Sequence, residues 1–142
     1  MAEQHQILVV DDDPVARTAI VSYFEAAGYR AAEAADGDAM WQALDSLPVD
    51  LIILDLSLPG EDGFALLREL RRTSELAVII VTAHTDSIDC VLGLELGAND
   101  YVTKPFNPRE LLARAKNLIR LNRAARRRSE EHTSELQSHA PI

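Results

Sequence analysis

Three runs of consecutive aliphatic residues stand out along the chain: Ile7 to Val10, Leu51 to Leu54 and Ala77 to Val81. Short unbroken apolar runs fit strands buried on both faces of a parallel sheet. Two weaker segments, Arg30 to Ala34 and Tyr101 to Val102, complete a predicted set of five strands. Helical patterns separate them. Asp13-Pro14 reads as an N-cap followed by the first helical residue. Val15, Ala19 and Tyr23, with Ile20, Phe24 and Ala27, then form a stripe that ends at Gly28. Asp36 to Ser46 is the second helix, with Met40, Ala43, Leu44 and Leu47 expected toward the core. Phe64 to Arg72, Ser87 to Leu96 (closed by Gly97) and Pro108 to Leu121 are the third, fourth and fifth. A loop with Pro59 and Gly60 is expected between the third strand and the third helix.

Strands alternating with helices give an α/β class: a flavodoxin-like (βα)5 doubly wound parallel sheet, strand order 2-1-3-4-5. The 142 residues suffice for one such domain, predicted over residues 1–122. Hydrophobic residues make up 47% of the chain, too many for wholesale disorder. No stretch approaches the roughly 20 apolar residues of a membrane helix. The polar N-terminus lacks the basic start and apolar run of a signal peptide, and the expected location is cytoplasmic, without membrane contact. Cys90 is the only cysteine, so neither an internal disulfide nor a cysteine zinc site is available.

Charge narrows the function classes. Residues 1–122 carry 20 acidic and 10 basic side chains, and Arg123, Arg126, Arg127 and Arg128 form a short basic linker start at 123–128. An acidic body is a poor nucleic-acid surface, because neutralising phosphates needs clustered cations.

The candidate chemistry lies where the predicted strands end. Asp11 and Asp12 follow the first strand, Asp55 the third, Thr82 the fourth and Lys104 the fifth. In a parallel sheet these positions emerge along one edge, where doubly wound folds bind ligands. Three carboxylates drawn together repel one another and call for a cation, and hard oxygen ligands select Mg²⁺ over zinc. Such an ion keeps open positions suited to a phosphoryl group. Asp55 can then act as nucleophile, with the Thr82 hydroxyl and Lys104 ammonium meeting phosphoryl oxygens. Taken singly, each residue has a plainer reading: Asp13 as a helix cap, the other Asp residues as turn formers, Thr82 as a strand end, Lys104 as a surface cation, Tyr101 as an edge-strand aromatic.

The segments ILVVDDDP, LIILDLSLPGEDG, VIIVTA and GANDYVTKPF together resemble the receiver domain of bacterial two-component response regulators. The resemblance implies that Asp55 accepts a phosphoryl group from a histidine kinase. It implies Asp12, Asp55 and the backbone carbonyl of Ser57 as direct Mg²⁺ ligands, with Asp11 acting largely through water. Thr82 and Tyr101 would form the switch, remodelling the face built by the fourth helix, fifth strand and fifth helix. Lys104, before a cis bond at Pro105, would contact the phosphoryl group, and Ser57 and His84 would tune its lifetime.

GLELGANDYVTKPFNPRELLARAKNLIRL further resembles the OmpR-like subfamily, whose output is a winged-helix DNA-binding domain. DNA would then be reached only through a domain missing from this chain. Members pair active receivers through charges: Asp100 and Arg114 match one such bridge, whereas Glu110 faces Cys90 where a base is usual. Asn99 and Leu121 replace the acid and base of another.

Two rivals remain open. Asp11-x-Asp13-x-Val15 after a strand also fits haloacid dehalogenase-like phosphatases, with Asp11 as nucleophile and Asp13 as acid/base. A stand-alone receiver acting by protein binding is the second. Residues 129–142 have no apolar period, and RSEEHTSELQSH resembles the translation of a common sequencing-library adapter. This tail is expected to be disordered and non-native, with His132 and His139 not metal ligands.

Overall fold

The computed structural model describes residues 4–122. The expectations for the Arg cluster at 123–128 and the tail at 129–142 lie outside those residues. The chain order is β1 (Gln6–Val10), α1 (Pro14–Ala26), β2 (Arg30–Ala34), α2 (Gly37–Ser46), β3 (Leu51–Leu54), β4 (Ser57–Leu58), β5 (Glu61–Asp62), α3 (Gly63–Arg71), β6 (Ala77–Thr82), α4 (Ser87–Glu95) and β7 (Asp100–Thr103). A further helix, α5, runs through residues 108–122.

Five strands form one parallel sheet in the order β2-β1-β3-β6-β7. This is the predicted order 2-1-3-4-5, because β4 and β5 make a separate antiparallel hairpin. Side chains alternate across a strand, and the sheet sorts them into two cores. Leu8, Val10, Ile52, Leu54, Val78 and Ile80 pack with Met40 of α2 and Leu67 and Leu70 of α3. Ile7, Val9, Leu51, Ile53, Ile79 and Val81 pack with Ile20 and Phe24 of α1 and Leu111, Ala115 and Ile119 of α5.

Much of the acid excess has a local task. Asp13, Asp36, Asp62 and Asp86 each accept a hydrogen bond from an amide in the first turn of α1, α2, α3 and α4. Such caps satisfy donors that the helix itself leaves open, each worth about 1 kcal/mol.

Three sequence expectations need correction. The stripe of α1 is rotated: Ile20, Val21 and Phe24 are buried, whereas Val15 is 77% exposed and Tyr23 is exposed as well. Ala19 and Tyr23 line a groove with Pro105, Phe106 and Pro108, so they face the β7–α5 turn and not the sheet. Leu47 is the exposed C-cap of α2. The predicted loop at Pro59 and Gly60 is the tip of the β4–β5 hairpin, where Gly60 takes a positive φ of 69° that a side chain would disfavour. Glu61 anchors that hairpin by accepting the Gly37 amide at 2.8 Å, at the start of α2.

Candidate functional site

The carboxyl ends of β1, β3, β6 and β7 bring together Asp11, Asp55, Thr82 and Lys104. The three residues Asp11, Asp55 and Thr82 are the buried polar side chains of the described core, at 2%, 6% and 0% exposure. Their placement follows from strand register: β3 lies between β1 and β6, with Val10 opposite Leu54 and Leu54 opposite Ile80. The first polar residue after each aliphatic run therefore arrives at the same edge.

Lys104 bridges the two acids. Its Nζ donates to Asp11 Oδ2 and to Asp55 Oδ2, both at 2.9 Å. Asp55 Oδ1 accepts the Ser57 amide at 2.9 Å, and Asp11 Oδ1 accepts the Asp13 amide at 2.9 Å. The Lys104-Pro105 bond is cis.

The two carboxyls titrate in opposite directions. Burial pushes Asp55 up, but the Ser57 amide, Lys104 and the Thr82 hydroxyl more than offset it, and its pKa falls below the ordinary value. Burial also raises Asp11, and Lys104 and the Asp13 amide do not fully compensate. Burial opposes the charge on Lys104, yet the two carboxylates hold its pKa above normal. One cation thus serves two buried anions. Asp55 is held ionised, as a nucleophile must be, and the cluster keeps an excess of negative charge.

Asp12 follows in the turn and is exposed. Among the described residues no three His, Cys, Asp or Glu side chains are grouped to hold a metal ion. Two of the three expected carboxylates, Asp11 and Asp55, form a buried pair bridged by Lys104, and Asp12 stands exposed in the adjoining turn. The donor set still suits a hard divalent cation. It offers carboxylate oxygens in excess of the local positive charge, beside the exposed Asp12 and the Ser57 main chain.

The residues expected to form the switch surround His84. Its amide donates to Thr82 Oγ1 at 3.4 Å, and its carbonyl accepts the Tyr101 hydroxyl at 3.0 Å. Its ring meets Ser57 Oγ through Nε2 at 2.7 Å and Asp89 Oδ2 through Nδ1 at 3.2 Å. Burial, then the nearby Asp89, raises the Tyr101 pKa and keeps the phenol protonated. α4 lies tightly on this ring: a Cβ on Gly93 would sit 2.8 Å from Ile80 Cδ1 and 3.3 Å from Tyr101.

The residues expected to pair two copies are engaged within the chain. Arg114 donates to Asp100 at 2.6 Å and to Glu110 at 2.8 Å. Asn99 accepts the Val78 amide at 2.9 Å and an Arg71 guanidinium N–H at 3.1 Å. Sequence reasoning passed over Arg17, which donates to the Asp11 carbonyl at 2.7 Å and to Glu33 at 2.9 Å. An arginine on a helix gives no local signal of partners on other elements. Asp13, the acid/base of the phosphatase alternative, caps α1 here: its Oδ1 accepts the Val15 amide at 3.0 Å.

Comparison with known proteins agrees with this geometry. The response regulator receiver domain model matches residues 7–116. The aerobic respiration control protein ArcA of Escherichia coli (strain K12) is 49% identical over 113 residues, covering 80% of this chain and 48% of the relative. The transcriptional regulatory protein AruR of Pseudomonas aeruginosa is 49% identical over 130 residues, 88% of this chain and 53% of the relative. The chain thus spans about half the length of the curated relatives it matches. The solved receiver domain of the TMAO respiratory system response regulator TorR superposes with a TM-score of 0.77 at 45% identity, covering 81% of this chain and 96% of that one. With its five-stranded sheet, its buried Asp11–Lys104–Asp55 cluster and this match, the chain belongs to the response regulator receiver domain family.

Proposed function

We propose that this receiver accepts a phosphoryl group on Asp55 from the phosphohistidine of a histidine kinase, and that the change controls a DNA-binding output domain outside this chain. The observation that carries the reading is Asp55 itself: a buried carboxylate at a central strand end, kept ionised by Lys104 and the Ser57 amide.

In the transfer, an Asp55 oxygen forms a bond to phosphorus as the phosphorus–nitrogen bond breaks, and the imidazole leaves with the electron pair. Lys104 and the Thr82 hydroxyl are placed to meet phosphoryl oxygens as charge shifts onto them. Attack of water on the phosphorus of the acyl phosphate would release inorganic phosphate and restore the carboxylate, resetting the domain, which we read as a signalling switch. Mg²⁺, held by Asp12, Asp55 and the Ser57 carbonyl with Asp11 acting through water, would neutralise charge on the incoming phosphoryl group.

Movement of the Thr82 hydroxyl toward a phosphoryl group on Asp55 would break its contact with the His84 amide. Tyr101, tied to the same residue's carbonyl, would repack and carry the change to the face of α4, β7 and α5. Pairing of two copies through that face would require Arg114 to exchange its internal partners Asp100 and Glu110 for those of a second copy. No helix among the described residues is long and apolar enough to cross a membrane, and we assign the switch to the cytoplasm.

Acetyl phosphate with Mg²⁺ tests the proposal by intact-mass spectrometry. The native chain gains one phosphoryl group and Asp55→Asn gains none. Modification that survives Asp55→Asn and disappears in Asp11→Asn would overturn the proposal in favour of an Asp11 nucleophile.

A further inference from the structure

Asp12 is exposed in the turn after β1, and Asp11 Oδ1 closes that turn by accepting the Asp13 amide. The main chain of the turn is held from outside as well. The Asp11 amide donates to the Ala34 carbonyl of β2 at 3.1 Å, and the Asp11 carbonyl accepts Arg17 Nη1 at 2.7 Å. That carbonyl belongs to the peptide unit joining Asp11 to Asp12, so its orientation sets where Asp12 stands.

Arg17 is itself anchored. Its Nε donates to Glu33 Oε1 at 2.9 Å, and its side chain is only 17% exposed although it starts from the first turns of α1. A guanidinium presents its donors in a rigid planar fork. With one tine on Glu33 of β2 and another on the Asp11 carbonyl, the fork holds the peptide plane against the neighbouring strand.

We infer that Arg17, braced by Glu33, is a positioning residue for the divalent cation: it orients the Asp11–Asp12 peptide so that both carboxylates face one ion. The inference rests on the receiver reading of the acidic site. Its logic resembles that of groups behind metal ligands elsewhere, whose loss weakens metal binding about 10- to 100-fold.

Electrostatics makes the role separable from mere proximity. Arg17 is a cation beside a cation site, so charge alone predicts that removing it tightens Mg²⁺ binding. Positioning predicts the opposite. Lysine keeps the charge but is a single point donor without the fork.

Calorimetric titration of the unphosphorylated chain with MgCl₂ reads the effect without reference to phosphorylation. The expected result is a Kd raised about tenfold in Arg17→Ala, a similar rise in Arg17→Lys, and a smaller rise in Glu33→Gln, whose amide oxygen still accepts from Arg17. Urea unfolding of the metal-free variants accompanies the titration, so that global destabilisation is measured separately. An unchanged or tighter Kd in Arg17→Ala, or full rescue by lysine, would overturn the inference and leave the receiver reading intact. If Arg17→Ala does not fold, Glu33→Gln and Arg17→Lys decide by the same criterion. Absence of Mg²⁺ binding by the native chain would overturn both.

Discussion

The two edges of the sheet use polar side chains in different ways. At the edge where strands begin, Asp50 accepts the Gln6 amide at 2.9 Å, and Asn99 accepts the Val78 amide and an Arg71 N–H. Arg71 also donates to the Gly97 carbonyl at 2.9 Å. Each side chain there completes the hydrogen bonding of a strand or turn. At the edge where strands end, Asp11 and Asp55 share a single ammonium, and one carboxyl is pushed up while the other is pulled down. The first edge finishes a fold; the second holds negative charge that the fold leaves unbalanced.

The largest effect should come from Lys104→Met. Removing the shared cation leaves two buried carboxylates facing each other, a loss of about 3 kcal/mol or more at neutral pH by urea denaturation. The pH dependence then changes sign. In the native chain, Asp55, with its lowered pKa, contributes stability above the ordinary value of 3.8 that is lost as pH falls through its folded value. Lys104 contributes stability that is complete below 10.5 and lost as pH rises through its higher folded value. Asp11 runs the other way, its burial cost being relieved as pH falls toward 3.8. Without Lys104 both acids behave like Asp11, so the variant should gain stability on acidification from neutral pH. A stability curve parallel to the native one would contradict this account of the pair.

An intermediate effect is expected at the opposite edge. Asn99→Ala leaves the Val78 amide without its acceptor and removes one of the acceptors of Arg71, which keeps the Gly97 carbonyl, at a cost of about 1 kcal/mol. This loss should be independent of Mg²⁺, unlike that of Lys104→Met, which the ion should partly restore in a thermal melt. The smallest effect is expected for Asp50→Asn, which keeps an acceptor for the Gln6 amide and should change stability by less than about 0.5 kcal/mol. Charge matters at one edge and only hydrogen-bonding capacity at the other.

The same division governs how much was legible in the sequence. Aliphatic runs such as Leu51 to Leu54 announce strands, and the polar residue closing each run marks the site, because register in a parallel sheet converts chain position into location. Amphipathicity was a weaker guide for α1, where Val15, Ala19 and Tyr23 form a second apolar stripe that faces the β7–α5 turn. The β4–β5 hairpin escaped notice because each of its strands is two residues long and is held by Glu61 reaching to Gly37. Lys104, 49 residues beyond Asp55, was expected to meet a phosphoryl group; its bridge between Asp11 and Asp55 is a contact that chain spacing alone does not announce. Arg17 and Glu33, 16 residues apart, are joined only by the crossover between α1 and β2.

Gly93 bears on how motion would travel. With no side chain at position 93, α4 packs close over Ile80 and the Tyr101 ring, so little slack separates helix from ring. A methyl group added there would press on Ile80 Cδ1 and on the ring, and a turn of Tyr101 in Gly93→Ala would then have to push against the helix itself.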